Sequence, residues 1–202
     1  MPRGKNLIPL FHDNPFVFKE DNLGNKFVLL DRDGVINEER KDYVKSLDEL
    51  VIYDEALDGL KILREEGYRV IVLTNQSPIG RGIISEETLK EIHRAIFKAV
   101  EEAGERIERF YFCPHRPEDR CPCRKPRIGM FLAAKEDFGI DLEKTFYVGD
   151  KETDVFAARR AGCKSILVGK EPFTCKIQPN FKAKNLYEAV KIILREDAKW
   201  KR

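Results

Sequence analysis

Apolar residues in this chain recur in two periods, and the two alternate. Short continuous runs stand at Phe27-Val28-Leu29-Leu30, within Arg69–Leu73 (Val70-Ile71-Val72), at Ile107–Phe112, at Thr145–Val148 and at Ser165–Val168. Runs this short, bounded by polar residues, predict buried strands. Between them the apolar positions fall three or four apart. Leu57, Leu60 and Leu63 predict a helix capped by Asp54 and ended at Gly67. Leu89, Ile92, Ile96 and Val100 predict a long one, capped by Ser85 and ended near Gly104. Further helices are predicted from about Met130 to Phe138, stopped by Gly139, and from Thr153 to Ala161, closed by Gly162. A last one carries Leu186, Val190 and Ile193 behind Asn185, with Glu188 at capping-box spacing. Strands separated by helices predict an α/β fold, a doubly wound, mostly parallel sheet with helices on both faces. Residues 1–26 are polar and punctuated by Pro and Gly, and read as an N-terminal extension, in part a short hairpin. Residues 27–202 then form a single domain.

In an open parallel sheet, ligands gather beyond the carboxyl ends of the strands. Asp31 stands at that end of the first run, Asp150 beyond Phe146-Tyr147-Val148-Gly149, and Thr74 and Asn75 close the run that ends at Leu73. Three strand ends thus offer small polar or acidic groups to one place. The alternative, that Asp31 and Asp150 merely cap helices or turns, leaves that coincidence unexplained.

The segment Asp31-Arg32-Asp33-Gly34 suits phosphoryl transfer. A carboxylate can attack phosphorus and form an aspartyl-phosphate, which divides one hard step into two. Asp33 can protonate the leaving alkoxide and then deprotonate the attacking water. Clustered carboxylates repel a phosphate, so a cation is required. Mg²⁺ held by Asp31, Asp150 and a backbone carbonyl, that of Asp33, meets the demand for oxygen ligands. Lys125 or Lys151 can neutralise the transferred oxygens, and Thr74 can hydrogen-bond them.

A second constellation lies in the loop from Cys113 to Arg127. Cys113-Pro114-His115 and Cys121-Pro122-Cys123 are two close pairs of soft ligands. Three thiolates and one imidazole match a closed, structural Zn²⁺ site, with a disulfide or unligated thiols as rivals. Such a site stabilises the loop and sets Arg124 and Lys125, which follow the last ligand. Cys163 reads as a small buried hydrophobe, its pairing with Cys175 being the other option. His93 falls on a helix and reads as a surface or packing residue.

Taken in this order, the motifs resemble those of the haloacid dehalogenase superfamily: Asp31-Arg32-Asp33-Gly34, then Thr74, then Lys125, then Gly149-Asp150-Lys151-Glu152-Thr153-Asp154. The resemblance covers about Phe27 to Val168. It implies Asp31 as nucleophile, Asp33 as acid–base, and hydrolysis of a phosphomonoester. The Cys-x-His and Cys-x-Cys-Arg-Lys-Pro loop resembles that of two groups within the superfamily. One removes the 7-phosphate of D-glycero-D-manno-heptose 1,7-bisphosphate and the other hydrolyses histidinol phosphate. Thr74-Asn75-Gln76-Ser77 with Arg81-Gly82, Gly129-Met130 and Val148-Gly149-Asp150-Lys151 look more like the first. In that group the residues matching Arg124, Lys125 and Lys151 contact substrate or phosphate, which makes the preferred partner a small phosphorylated metabolite. Asn75, at the strand end beside Thr74, is expected to join Arg124 and Lys151 in binding it. Asp154 is expected to orient Lys151 or water near Mg²⁺.

Bulk properties narrow the field little further. Only about 40 residues separate Asp31 from Thr74, too few for a sizeable cap domain beside the predicted helix. The site is therefore expected to be open, with the Cys113–Arg127 loop as a small lid. An open site admits a polynucleotide end, but a net charge of +2 supplies no field for nucleic acid. A non-catalytic phosphate-binding protein is the reading from another class, and it has no use for the Asp31/Asp33 pair. No apolar run approaches the roughly 18 residues of a membrane span. With no recognisable targeting signal, the cytoplasm is the expected location. No oligomeric state is legible, a monomer being the simplest.

Overall fold

The computed structural model describes residues 26–170 and 176–200. The rest of the expected N-terminal extension, Cys175, and the last two residues of the basic tail lie outside them.

Six strands form one sheet in the order β3-β2-β1-β4-β5-β6: β1 Lys26–Leu30, β2 Tyr68–Asn75, β3 Ile107–Cys113, β4 Phe146–Gly149, β5 Lys164–Val168 and β6 Phe181–Ala183. All five ladders are parallel. The helices are α1 Asp54–Glu65, α2 Ser77–Gly80, α3 Glu86–Glu102, α4 Gly129–Phe138, α5 Glu152–Ala161 and α6 Leu186–Trp200. Among the described residues no cap domain interrupts this pattern.

The two-residue period of the strands divides the core. Val28, Leu30, Val70, Val72, Phe146 and Val148 face α1, α3 and α6, where Leu60, Leu63, Ile96 and Ile193 meet them. Phe27, Leu29, Ile71, Leu73, Tyr111 and Tyr147 face α4 and α5, against Phe131, Ala134 and Ala157. Most of these side chains are wholly buried, each worth about 1.5–3 kcal/mol of transfer free energy. A sheet covered on both faces explains why the runs look continuously apolar.

Local details depart from the expectations. Asp54 is the first residue of α1, not its cap; Tyr53 holds the cap position without a side-chain bond. The Asp54 carboxylate instead sits in the first turn, where it favours the helix dipole. Ser85 does cap α3, its Oγ accepting the Thr88 N–H at 3.0 Å. Asn185 accepts the Glu188 N–H at 3.0 Å, while the Glu188 carboxylate reaches back to the Lys184 N–H at 3.1 Å. Two elements were not foreseen, α2 and β6, of four and three residues. Asn180 leads into β6 by exchanging bonds with Ser165: Ser165 N–H to Asn180 Oδ1 at 2.9 Å and Asn180 N–H to Ser165 Oγ at 3.1 Å.

The register positions the site. Leu30 pairs with Val72 on one side and Val148 on the other. The chain winds outward from β1 through β2 to β3, then returns to β4 and winds the opposite way. The crevice between β1 and β4 is therefore the topological switch point, where such sheets bind ligands. Asp31 is one residue beyond that row, and Thr74 and Asp150 are two.

Candidate active site

Asp31 continues the ladder by donating its backbone N–H to Val148 O at 2.8 Å. Its carboxylate is buried and meets the ammonium of Lys125 at 2.9 Å. Lys125 is buried too. It also pairs with Asp154 Oδ1 at 2.8 Å and donates to Leu73 O at 2.8 Å and the Tyr147 hydroxyl at 2.6 Å. Burial pushes the Asp31 carboxyl up to about 6 even though the Lys125 charge opposes it. For Lys125, burial favours the neutral amine, but Asp154 and Asp31 outweigh it and hold the ammonium.

The backbone of Lys125 is placed from β2. Asn75 accepts the Lys125 N–H on Oδ1 at 3.0 Å and donates Nδ2 to the Lys125 carbonyl at 3.2 Å. Asn75, an expected substrate contact, lines the pocket, but its amide is engaged in holding Lys125.

Asp33 sits in a frame of donors. Arg32 reaches it through Nη2 at 2.7 and 2.9 Å and Nε at 3.1 Å, Asn37 Nδ2 at 2.9 Å and Gln76 Nε2 at 2.9 Å. Burial alone would raise its pKa. The Arg32 guanidinium and these hydrogen bonds reverse the sign and hold it below the usual carboxylate range. Gln76 also donates to Thr74 Oγ1 at 2.9 Å and so couples the second motif to the first. Behind Arg32 lies His93, fully buried and stacked on Phe110 with ring centroids 4.2 Å apart. Burial and the Arg32 charge keep the imidazole neutral, so its Nε2 accepts from Arg32 Nη1 at 3.3 Å. Packing, one of the two roles expected of His93, is what the structure gives, with a polar contact added.

Asp150 is the most exposed to electrostatic conflict. Its carboxyl is pushed up to about 8, first by burial and then by the Asp31 and Asp154 charges. Its Oδ1 is buried without a hydrogen-bond partner. One oxygen from each of Asp31, Asp150 and Asp154 falls within 4.8 Å of the others. An orphaned carboxylate oxygen among repelling carboxylates is what a hard divalent cation relieves, so the residues fit Mg²⁺. Asp154 has less to offer such a cation. Its Oδ1 is committed to Lys125 and Tyr147, and its Oδ2 accepts the Lys151 N–H at 3.0 Å as part of the α5 capping box. The expected link from Asp154 to Lys151 is thus to the backbone; the side chain it orients is Lys125.

Two glycines make room for this geometry. Gly34 has φ +79°, and a Cβ there would lie 2.3 Å from Asp150 Oδ2. A Cβ on Gly149 would lie 2.4 Å from Asp154 Cβ.

The loop after β3 brings Cys113, His115, Cys121 and Cys123 together. Cys123 Sγ lies 3.2 Å from Cys113 Sγ, 3.5 Å from Cys121 Sγ and 3.3 Å from His115 Nδ1. Cys113 Sγ lies 3.5 Å from both Cys121 Sγ and His115 Nδ1. A disulfide needs about 2.05 Å, so no pair is bonded, whereas Zn–S bonds of about 2.3 Å give tetrahedral edges only slightly longer than these. The Cys113–Cys123 hydrogen bond holds the Cys123 thiol down to about 5 and Cys113 up. Cys163 is buried, as a small hydrophobe would be, and has no disulfide partner among the described residues. The loop anchors two cations by its own carbonyls: Arg124 Nη1 donates to His115 O and Arg127 Nη1 to Cys121 O, both at 3.2 Å.

These elements surround a cavity of about 790 Å³. Asp31, Asp33, Thr74 and Lys125 line it, and the loop forms one wall through Pro117, Arg124, Pro126 and Arg127. Arg40, Lys41 and Lys151 add to the cationic wall. Lys151 is not at Asp31; it pairs with Glu39 across the mouth.

The sequence reading missed Arg32, Asn37, Gln76, Glu39 and Tyr147. The first three lie inside or beside recognised motifs, and adjacency was the available signal. Tyr147 lies within a predicted strand and looked like core.

No described helix is long and apolar enough to cross a membrane. Residues 11–162 match the haloacid dehalogenase-like hydrolase family. The chain is 38% identical over 146 residues to a D-glycero-beta-D-manno-heptose-1,7-bisphosphate 7-phosphatase of Pseudomonas aeruginosa, covering 72% of this chain and 82% of that protein. It is 40% identical over 147 residues to a probable heptose bisphosphate phosphatase of the same kind from Thermoplasma acidophilum, covering 72% and 91%. The crystal structure of D,D-heptose 1,7-bisphosphate phosphatase from B. bronchiseptica, complexed with magnesium and phosphate, superposes with a TM-score of 0.77. The sequences there are 32% identical, over 85% of this chain and 99% of that one.

Proposed function

Because the chain belongs to the haloacid dehalogenase-like hydrolases, we propose that it is a phosphatase that removes the 7-phosphate of D-glycero-D-manno-heptose 1,7-bisphosphate through a phosphorylated Asp31. The observation that carries the reading is the buried Asp31–Lys125 pair beside the orphaned Asp150 oxygen at the switch point.

In the first half-reaction an Asp31 oxygen bonds to phosphorus and the ester oxygen departs with a proton from Asp33. The donors around Asp33 favour its carboxylate, so Asp33 first takes that proton from the substrate monoanion, and the proton it later takes from water leaves with the product phosphate. In the second, Asp33 takes a proton from water, the water oxygen bonds to phosphorus, and Asp31 is released. The ionised resting form of Asp33 suits this base step. Lys125 balances charge on Asp31 and the phosphoryl oxygens, and Thr74 donates its hydroxyl to them. Asp31, Asp150 and the Asp33 carbonyl would hold Mg²⁺, which supplies positive charge against the phosphate.

For the substrate, the names of the relatives and the cationic wall point the same way. Arg124 and Lys151, with Arg40, Lys41 and Arg127, face a cavity with room for a sugar carrying a second phosphate. Asn75 contributes by fixing Lys125. Cys113, His115, Cys121 and Cys123 would hold Zn²⁺ as a structural ion, which would tie down the loop that carries Arg124 and Arg127.

Steady-state kinetics with heptose 1,7-bisphosphate beside histidinol phosphate test the reading. A higher kcat/KM for the bisphosphate is expected; a preference for histidinol phosphate would overturn the substrate assignment and leave the chemistry standing.

A further inference from the structure

The Lys125 ammonium has three protons and four acceptors: Asp31, Asp154, the Leu73 carbonyl and the Tyr147 hydroxyl. If Asp31 is the nucleophile, these four do not behave alike during turnover. Attack on phosphorus converts the Asp31 carboxylate into a mixed anhydride and withdraws one of the two negative charges that anchor Lys125. Water later cleaves the anhydride and restores it. Asp154, Leu73 and Tyr147 keep the same covalent form throughout.

Of these three, Tyr147 is the side chain that ties the others together. Its oxygen lies 2.6 Å from Lys125 Nζ, 3.2 Å from Asp154 Oδ1 and 3.3 Å from Leu73 O. It accepts from Lys125 and turns its own proton toward Asp154 or Leu73. Burial and the Asp154 charge push the phenol well above its ordinary pKa, so that proton stays. The ring has little freedom: it is buried in β4 and meets Phe131 edge-on at 4.9 Å between centroids.

We propose that Tyr147 is a positioning residue that holds the Lys125 ammonium beside Asp31 while the Asp31 carboxylate is phosphorylated. Its effect falls on the second half-reaction. There the water oxygen–phosphorus bond forms, the Asp31 oxygen–phosphorus bond breaks, the bonding pair returns to Asp31 as carboxylate, and the water proton goes to Asp33. A cation already in place stabilises that returning charge without reorganisation. In the first half-reaction Asp31 begins ionised and its charge adds to the Asp154, Leu73 and Tyr147 contacts in holding Lys125. This inference rests on the nucleophile assignment above.

The test is Tyr147→Phe, which keeps the ring and removes the hydroxyl, assayed at saturating Mg²⁺ with acid quenching to trap phosphorylated protein. One lost hydrogen bond to a charged group predicts a kcat lower by about tenfold, with KM within about twofold. The trapped phosphoprotein fraction should rise above that of the parent, because its breakdown is slowed more than its formation. In a Lys125→Met background the same change should cost less than about twofold more, since the hydroxyl then has no ammonium to hold. Tyr147→Leu carries the same predictions should the first variant fold poorly. A kcat within about twofold of the parent, an unchanged or smaller trapped fraction, or a full further loss in the Lys125→Met background would overturn the inference. Trapped phosphoprotein in the parent with no response to Tyr147→Phe sinks this inference alone. No trapped phosphoprotein in the parent, together with full activity of Asp31→Asn, sinks the nucleophile assignment beneath it.

Discussion

Replacing Lys125 by Met removes the cation between Asp31 and Asp154 while keeping much of the side-chain volume. The parent ammonium holds two buried carboxylates at 2.9 and 2.8 Å. Breaking a buried ion pair from one side typically costs 3–5 kcal/mol, because the partner charge is left uncompensated. Here the orphaned charges can take up protons. Asp31 already stands at about 6 with Lys125 opposing the rise, so removing Lys125 drives it higher and much of Asp31 is neutral at pH 7. Protonation relieves part of the penalty, and about 3 kcal/mol of lost stability at pH 7.5 is the expectation. The sign with pH follows. In the variant, folded carboxyls raised above their unfolded values favour the native state in acid and lose that contribution as pH rises through the raised pKa. The gap between parent and variant should therefore be smaller at pH 5 than at pH 7.5 in urea denaturation. Activity should fall by about 10²–10³, as on losing one preorganised charge stabiliser. The kcat/KM profile of what remains should move to higher pH, because a protonated Asp31 is no nucleophile. Lys125→Arg should not restore the rate, since a planar fork cannot fill a compact ammonium site. Activity within about threefold of the parent, with an unmoved pH profile, would refute the reasoning.

Three further outcomes are expected. Glu105, with a buried oxygen lacking a partner, is pushed up to about 7 from 4.5, chiefly by burial. Its contribution to stability is full below about 4.5 and fades as pH rises through about 7, so Glu105→Gln should gain about 1–2 kcal/mol at pH 8 and little at pH 5, as read by urea denaturation. Gly34→Ala should cost about 1–2 kcal/mol for its left-handed backbone and raise the half-saturating Mg²⁺ concentration, because the new Cβ displaces Asp150; unaltered Mg²⁺ dependence in a folded variant would count against Asp150 as a ligand. Elemental analysis should find about one zinc per chain, with Cys123→Ser losing both the metal and thermal stability; a metal-free parent of the same stability would dismiss the zinc assignment.

The acidic site was legible because its chemistry forces residue types onto fixed places in a regular topology. Asp31, Thr74 and Asp150 each follow a strongly apolar strand, and the parallel order then makes them neighbours. The cysteine loop was legible because soft ligands in close pairs are rare outside metal sites. The contacts that tune these residues were not. Asn75 looks like a pocket donor in sequence, and only the return of the chain 50 residues later shows that it clamps Lys125. Tyr147 obeys the strand alternation and faces the α4 side with Leu73, so its period says core. That its hydroxyl ends on a buried ammonium follows from the meeting of β2, β4 and the loop. β6 escaped because three residues carry too little periodicity to stand out.

The central claim is that Asp31 becomes phosphorylated. Its most direct measurement is acid quenching of the protein in the first turnover with heptose 1,7-bisphosphate and Mg²⁺, followed by peptide mapping. A single phosphoryl group, cleaved by hydroxylamine, should map to the peptide containing Asp31 and be missing from Asp31→Asn, which should also be inactive. Phosphate on a different residue, or Asp31→Asn turning over at the parent rate, would contradict the account.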